Sequence, residues 1–257
     1  MANWYDYPQY FDMVFRDETP AEVAFFEKAF VSYTKREVKS LLEPGCGSGR
    51  LVAALAARGF EVTGLDLSPP MLDYLENRLR RRRLEAKLVL GDMSSMQLPT
   101  KYDAAFCTFN TFRHLLSDKL AVGHLRSVAA HLRQGGIYIL GFHIIPLDAE
   151  TECIERWNAS HAGTKVSVTL KVIDFQRRKR QETLRVSIKA TKRSGTTERI
   201  RSEFPLRLYT HSQVKKLLQE VSDEFEVVGI HDFDYDIEEQ RNLDSDLTDA
   251  VFVLRKR

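Results

Sequence analysis

The glycine-rich stretch at residues 41–50, Leu-Leu-Glu-Pro-Gly-Cys-Gly-Ser-Gly-Arg, is the feature that most constrains how this chain can fold. A β-favouring run at 38–42 ends in Glu43, the glycines follow, and an amphipathic helix starts at Leu51 and stops at Gly59. Glycines let a backbone turn sharply and approach a ligand closely. The first N–H groups of a helix favour negative charge. The stretch therefore predicts a strand, a ligand-binding loop and a helix.

An acid at the end of a second strand indicates that the ligand is a nucleoside. A second strand, predicted at 60–65, ends in Asp66, 21 residues after Gly45. An acid at that position can accept hydrogen bonds from both hydroxyls of a ribose. The G-x-G-x-G spacing is not the dinucleotide fingerprint, and it lacks the Lys-Ser/Thr of a phosphate loop. Glu43 would repel a pyrophosphate but suits an ammonium group, whereas the helix N-terminus suits a carboxylate.

S-adenosylmethionine carries an ammonium, a carboxylate and an adenosine, and the chain resembles the class I S-adenosylmethionine-dependent methyltransferases. Their first signature is E-x-G-x-G-x-G, which begins here at Glu43, and Asp66 matches their ribose-binding acid. Two later matches are Gly91-Asp92-Met93 after a third strand and Tyr102-Asp103 at the start of a fourth. The resemblance implies an α/β, Rossmann-like fold: a seven-stranded mixed sheet of order 3-2-1-4-5-7-6 with helices on both faces.

The resemblance also implies which residues contact S-adenosylmethionine. Leu67 and Met71 would flank the adenosine, Asp92 would bind the adenine amino group, and the loop at 109–114 would contact both cofactor and substrate. Tyr10 could reach the methionine carboxylate or the substrate, or could belong to an aromatic core or flap. The implied cofactor-binding residues are Tyr10, Glu43, Gly45, Cys46, Gly47, Gly49, Asp66, Leu67, Met71, Asp92, Met93, Phe109 and Asn110.

Three residues are candidates for the chemistry of the reacting group. His114 and His143 follow predicted strands at the sheet edge where ligands bind in open α/β sheets. Tyr209 precedes the capping box of a later helix, at the far root of an insertion. Each could be a base or orient the substrate, and a capping or packing role is the alternative for His114. No metal-ligand spacing is present.

An insertion interrupts the methyltransferase pattern. Three β-rich stretches at 165–175, 183–192 and 196–206 predict an antiparallel meander. We expect a methyltransferase domain from 1–150 and 207–257, with its cofactor site in 38–143, and a lid or dimer interface from 151–206. The chain would be a monomer or a homodimer.

Composition bounds the compartment and the partners. With 257 residues, 43% hydrophobic, 29% charged and a formal charge of +2, the chain is typical of soluble globular proteins. The N-terminus lacks the features of a signal peptide, no apolar run is long enough to span a bilayer, and three scattered cysteines indicate no disulfide framework. We therefore expect a cytoplasmic protein with no membrane partner.

A small-molecule substrate is favoured, methylated on O, N or C, because no RNA-binding or peptide-binding module is visible. The loop at 109–114 also departs from the N-P-P-Y type of enzymes that methylate nucleic-acid adenines or glutamine. The alternatives are an RNA or protein methyltransferase, supported only by the basic runs at 80–83 and 177–180, and a non-catalytic protein that binds S-adenosylmethionine.

Overall fold

Two β-sheets organise residues 4–146, 149–150 and 152–257, which the computed structural model describes. The helices are α1 (Pro8–Phe15), α2 (Thr19–Tyr33), α3 (Arg50–Ala56), α4 (Pro69–Arg82), α5 (Asp118–His131) and α6 (His211–Glu220). Short 3-10 helices span Trp4–Asp6, Arg16–Glu18, Thr111–His114 and Arg177–Lys179. The strands are β1 (Ser40–Pro44), β2 (Glu61–Asp66), β3 (Lys87–Leu90), β4 (Tyr102–Cys107), β5 (Leu132–His143), β6 (Ile154–His161), β7 (Thr164–Gln176), β8 (Gln181–Thr191), β9 (Thr197–Arg207), β10 (Phe225–Asp232) and β11 (Asp249–Lys256).

The larger sheet has the order β3-β2-β1-β4-β5-β11-β10, so the predicted fold class and strand order are confirmed. The five strands β1 to β5 are parallel to one another, and β11 is antiparallel to both β5 and β10. Because parallel strands end at one edge of a sheet, the loops after β1, β2, β4 and β5 meet there. The predicted ligand-binding residues are therefore collected at a single edge.

Both faces of this sheet are covered, which explains why its strands read as continuous apolar runs. Neighbouring residues of one strand point to opposite faces: Leu41 joins one hydrophobic cluster and Leu42 joins the other. Both side chains are completely buried. Burial of a leucine contributes about 1.5–3 kcal/mol relative to exposure, so this double-sided packing holds the loop after β1 in place.

Side chains cap the first turns of α4 and α6, whereas α2 begins without a side-chain cap. The Ser68 side chain caps α4 by accepting from the Met71 N–H, and Thr210 and Gln213 form the expected capping box of α6. The stretch Thr-Pro-Ala-Glu at 19–22 has the sequence of a capping box but does not form one. Thr19 is already helical because the preceding 3-10 turn runs directly into α2, and its hydroxyl accepts a hydrogen bond from Arg50 at 3.3 Å instead.

The pair Gly135–Gly136 lies inside β5, after the end of the preceding helix. Helix α5 ends at His131, and the register between β4 and β5 shifts at this point. A Cβ on Gly136 would lie 2.6 Å from the Asp103 carbonyl oxygen. The glycine is therefore needed for close approach of two backbones.

The inserted segment forms a separate antiparallel sheet of four strands, β6-β7-β8-β9, where three were predicted. The sequence does not indicate strand β6, because this strand is mostly exposed and polar and lacks the apolar alternation seen in β7 and β8. Residue 151, the predicted first residue of the insertion, lies outside the described residues. The inner face of this sheet packs against Trp4, Tyr10 and Phe15 of the N-terminal segment.

Candidate functional site

The loop between β1 and α3 is held by backbone hydrogen bonds to the end of β2. The N–H groups of Gly45 and Cys46 donate to the Leu65 carbonyl at 2.6 and 3.0 Å, and that of Gly47 donates to Asp66 Oδ2 at 2.7 Å. Gly45, Gly47 and Gly49 have φ values of +73°, +52° and +68°, in the left-handed region. The three glycines therefore meet a conformational requirement of the loop.

Only one of these glycines faces open space. A Cβ on Gly49 would lie 2.2 Å from Leu75, and one on Gly45 would lie 2.4 Å from Thr111. Nothing lies within 4 Å of the corresponding position on Gly47. Gly45 and Gly49 are thus required by packing within the protein, whereas Gly47 leaves a cradle that a ligand can enter.

Asp66 lies beside this cradle with its carboxylate fixed by the backbone. Oδ1 accepts from the Ser68 N–H at 2.8 Å and Oδ2 accepts from Gly47, and burial raises the pKa of the carboxyl. Each oxygen keeps a further lone pair, as hydrogen bonds from two ribose hydroxyls would require. The next residue, Leu67, is 66% exposed, so an apolar side chain is available to cover a nucleoside base.

Glu43 is buried at the end of β1, with an exposed fraction of 7%. Its Oε2 has no hydrogen-bond partner among the described residues, and burial raises its pKa well above the ordinary value. A buried acceptor without a donor is costly, so its presence at a ligand-binding loop calls for a donor supplied from outside. An ammonium group fits, and the cradle, Asp66 and Glu43 together fit S-adenosylmethionine.

The other implied cofactor residues divide into accessible and buried groups. Asp92 is exposed, and its Oδ1 accepts from the Ser94 N–H at 2.7 Å. Met93 and Met71 are buried, Met93 near Gly45 and Met71 on the inner face of α4. The side chain of Cys46 packs in the core against Gly64, and its backbone N–H and carbonyl are hydrogen-bonded to Leu65 and Gly49.

Tyr10 lies in a buried aromatic cluster, which is one of the two placements that the sequence left open. Its hydroxyl donates to Glu198 Oε2 in β9 at 2.8 Å, and its ring stacks on Tyr7. Tyr10 therefore joins the N-terminal segment to the second sheet, and its proposed contact with the methionine carboxylate gains no support from this geometry. Tyr5 from the same segment faces the site instead.

The loop after β4 is strained at two consecutive residues. Phe109 and Asn110 have φ values of +61° and +68°, which non-glycine residues rarely adopt. The strain is stabilised by specific contacts: Asn110 Oδ1 accepts from the His143 N–H at 2.9 Å, and the Phe109 ring packs 4.8 Å from Phe15. Strain of this kind tends to collect at functional sites, which agrees with the expected role of this loop.

A cavity of about 550 Å³ lies between this loop and the inner face of the second sheet. Its aromatic lining includes Trp4, Tyr5, Phe15, Phe109, Trp157 and Phe204. Its carboxylates are Glu150, Glu155, Glu182 and Asp249, and its one described lysine or arginine is Arg113. Arg113 forms a buried ion pair with Glu182, so three carboxylates face the cavity without a lysine or arginine in its lining.

His114 lines the cavity and is bonded to Tyr5. The Tyr5 hydroxyl and His114 Nε2 are 2.9 Å apart. Burial, with a smaller contribution from the charge on Arg113, lowers the pKa of His114 to about 4, and burial raises the pKa of Tyr5. Both groups are therefore neutral at neutral pH, and the pair can orient a substrate by hydrogen bonding.

His143 lines the same cavity and is paired with a residue that sequence reasoning missed. Its Nδ1 is hydrogen-bonded to Asp249 Oδ1, and the two residues are direct partners across β5 and β11. The hydrogen bond from His143 lowers the pKa of Asp249. No short motif links Asp249 to His143, because 106 residues separate them and only the sheet register brings them together.

Tyr209, the third catalytic candidate, does not line the cavity. Its side chain is fully buried against Phe112 and Phe142, and the guanidinium groups of Arg180 and Arg207 lie 5.4 and 5.5 Å from its ring. The sequence-based expectation that it acts as a base or orients the substrate is therefore corrected: Tyr209 packs beneath the root of the second sheet.

Comparisons with known proteins agree with this architecture. Residues 41–136 match a family model described as a methyltransferase domain. An S-adenosylmethionine-dependent methyltransferase from Clostridium acetobutylicum has a similar structure, with a TM-score of 0.76, 17% identity and 95% of each chain covered. DesVI of Streptomyces venezuelae gives a TM-score of 0.74 at 18% identity, over 92% of each chain. The fold is thus the class I methyltransferase fold.

Curated relatives extend the likeness to sequence. The chain is 33% identical over 109 residues to the cypemycin N-terminal methyltransferase of a Streptomyces species, covering 42% of this chain and 44% of that protein. It is 32% identical over 112 residues to a dTDP-3-amino-3,6-dideoxy-α-D-glucopyranose N,N-dimethyltransferase of Streptomyces fradiae, covering 44% and 42%. The chain thus matches only about half the length of these relatives. The similarity in sequence is therefore to methyltransferases, in agreement with the fold.

No helix in the described ranges combines the length and the apolar character needed to cross a membrane.

Proposed function

We propose that this protein transfers a methyl group from S-adenosylmethionine to the nitrogen of a small amine bound in the 550 Å³ cavity. The cofactor supplies an electrophilic methyl group, and the protein supplies alignment, exclusion of water and a site for the nucleophile. The residues that would hold the cofactor are Glu43, Gly47, Asp66 and Leu67, for the reasons of geometry given above.

The lining of the cavity carries the proposal of an amine. Glu150, Glu155 and Asp249 face it in addition to the Arg113–Glu182 pair, so the fixed charges of the lining sum to a negative value. Aromatic rings make up much of the remaining wall, and their faces attract cations. An ammonium group on an apolar body complements both features, whereas an anionic substrate would be repelled.

The size and cover of the cavity favour a small molecule over a polymer. Ligand sites for small molecules typically occupy about 300–1,000 Å³. The inner face of the second sheet contributes Trp157, Val168, Val186 and Phe204 to the lining. A roof of this kind helps to keep water from the reacting groups, and it favours a small ligand over an RNA or a protein chain.

We infer that residues 151–206 act as the roof of the active site and that a buried ion pair attaches this roof to the loop after β4. Arg113, in the loop after β4, is paired with Glu182 of β8, and its Nε donates to the Arg207 carbonyl at 2.8 Å. Both side chains of the ion pair are less than 10% exposed. This attachment favours the interpretation of the segment as a lid, and not as a dimer interface.

The printed names of several relatives also support nitrogen as the acceptor. The cypemycin enzyme is an N-terminal methyltransferase, and the Streptomyces fradiae enzyme is an N,N-dimethyltransferase of an amino sugar nucleotide. A sugar N-methyltransferase from Streptoalloteichus has a similar fold, with a TM-score of 0.71. These proteins share the fold with this chain, and the acidic aromatic cavity is the feature of this chain that favours the same acceptor atom.

The test compares charged and uncharged analogues. The protein is incubated with S-adenosylmethionine and a panel of arylalkyl primary amines and amino sugars, each beside its hydroxyl analogue, and methylated products are identified by mass spectrometry. We expect products from amines only. Methylation of the alcohols alone would contradict the proposal, and tight cofactor binding without any product would support a non-catalytic binding protein.

A matched pair of variants locates the substrate. Glu155→Gln removes one carboxylate from the cavity and should raise the KM for an amine by about tenfold, while cofactor affinity stays unchanged. Glu203→Gln is the control, because Glu203 is exposed, pairs with Arg185 and is not part of the cavity lining. An equal change in KM in both variants would place amine binding elsewhere.

A further inference from the structure

Two histidines line the cavity, and their surroundings suit them to different tasks. His114 is partly buried and already bonded through Nε2 to the Tyr5 hydroxyl. The side chain of His143 is 36% exposed and is bonded through Nδ1 to Asp249. No described residue hydrogen-bonds to Nε2 of His143, so this nitrogen is available to a ligand in the cavity.

The position of the His143 ring is fixed from three sides. Asp249 is its direct partner on the neighbouring antiparallel strand, the peptide N–H of His143 donates to Asn110 in the strained loop after β4, and Phe233 packs 5.2 Å from the ring. Asn110 follows Phe109, whose ring also lines the cavity. The imidazole is therefore held at the C-terminal end of β5, beside the loop after β4.

Asp249 determines which nitrogen of His143 carries the proton. A carboxylate can only accept a hydrogen bond, so Nδ1 must be the donor, and Nε2 of the neutral ring then has a free lone pair. A carboxylate–histidine pair of this kind also stabilises the imidazolium that forms when Nε2 takes up a proton. Nε2 of His143 is thus a proton acceptor on the wall of the cavity.

A primary amine needs such an acceptor. An alkyl ammonium has a pKa of about 10.4, so at neutral pH the nitrogen has no lone pair with which to attack a methyl group. We propose that His143, oriented by Asp249, is the general base that deprotonates the substrate ammonium. This proposal rests on the proposed function, because it assumes that an amine occupies the cavity.

The step is a single proton transfer. The N–H bond of the substrate ammonium breaks, its electron pair stays on the substrate nitrogen, and a new N–H bond forms at Nε2 of His143. His143 becomes an imidazolium facing the Asp249 carboxylate, and the substrate becomes a neutral amine able to attack. The proton later leaves to solvent, to which the His143 side chain is partly exposed.

Other charged groups near the pair do not compete for this role. Asp249 also lines a second cavity of about 160 Å³, together with Asp232, Asp234, Asp246 and Arg241. Arg241 forms an ion pair with Asp232, and His143 is not part of the lining of this second cavity.

The pH dependence of methyl transfer is the main test, made on whichever amine of the panel is methylated. His143→Gln should lower the rate at pH 7 by about a hundredfold, within the range typical of general bases. The defect should shrink as the pH approaches 10, because the amine then loses its proton to solvent. A loss of structure would instead lower the rate equally at every pH, and that result would overturn the proposal.

Two controls accompany this measurement. Asp249→Asn should lower the rate at neutral pH by about tenfold or more and leave cofactor affinity within twofold, since Asp249 acts through His143. His161→Gln makes the same chemical change at an exposed histidine of β6 that is outside the cavity lining, and it should leave the rate unchanged. Equal losses in His143→Gln and His161→Gln would exclude a specific role for His143.

A spectroscopic arm needs no substrate and so separates this proposal from the proposed function. Long-range ¹H–¹⁵N spectra of the histidine rings, assigned with His143→Gln, report the tautomer of neutral His143. We expect the Nδ1–H form in the wild type and a mixture of tautomers in Asp249→Asn. An Nε2–H form in the wild type overturns the proposal even if amines are methylated. The expected tautomer with no amine methylated would refute the proposed function and, with it, the base role.

Discussion

Replacement of Gly47 by valine tests whether the cradle after β1 is the cofactor site. The left-handed backbone at Gly47 (φ +52°) costs a residue with a side chain about 1–2 kcal/mol. Nothing lies within 4 Å of the new Cβ, so the protein should still fold. In a protein of this size, about 1 kcal/mol lowers Tm by ~2–4 °C, and we expect a Tm lower by about 2–8 °C.

The effect on the cofactor should be much larger than the effect on folding. A valine side chain would occupy the space through which the methionine tail has to pass, and we expect affinity for S-adenosylmethionine to fall at least a hundredfold, or about 2.7 kcal/mol. Calorimetry measures this directly. Thermal unfolding gives a second readout, because a ligand at a hundred times its Kd stabilises the wild type by about 2.7 kcal/mol.

Gly195→Val is the matched control. Gly195 also has a positive φ of +85° and open space at its Cβ position, but it lies in the hairpin between β8 and β9. Both variants should lose similar stability without ligand, and only the Gly195 variant should regain it with S-adenosylmethionine. If folded Gly47→Val binds the cofactor within threefold of the wild type, the loop does not contact it and the reasoning is refuted.

Three further predictions follow from the same structure. Asp66→Ala removes charge-assisted hydrogen bonds worth roughly 1.5–3 kcal/mol each, so cofactor affinity should fall at least tenfold by calorimetry; an unchanged Kd would reject the ribose assignment. Burial lowers the pKa of His114 and of His124 to about 4, so the unfolded chain takes up protons first as the pH falls from 6.5 to 4. Each should then cost up to about 3 kcal/mol of stability, and His124→Gln should flatten the dependence of urea unfolding on pH in that window. Arg113→Leu should destabilise the protein by about 3–5 kcal/mol because it leaves Glu182 buried and unpaired, whereas the double change to leucine should cost less; equal losses would show that the pair is not coupled.

Predictions from the sequence succeeded where neighbours along the chain determine the structure. The loop after β1 and the caps of α4 and α6 follow from local signals: glycines at left-handed positions and capping side chains. The sheet order was implied by the resemblance to class I methyltransferases and is confirmed. Strand β6 had no such signal, because one of its faces is exposed and the other is only partly covered. Its pairing with β7 supplies the hydrogen bonds that its own composition does not predict.

The candidate site shows the same division. Glu43, Gly47 and Asp66 belong to one continuous strand–loop–helix–strand unit, whose spacing is set by the lengths of its elements, so sequence alone determined the kind of ligand. The cavity is different: Tyr5, Trp157 and Asp249 reach it from three distant segments. Which of them meet depends on how the second sheet packs on the N-terminal helices and on the register of β5 with β11. Those contacts are formed by tertiary packing, so only the folded structure decided that His143 has a carboxylate partner and that Tyr209 is buried away from the site.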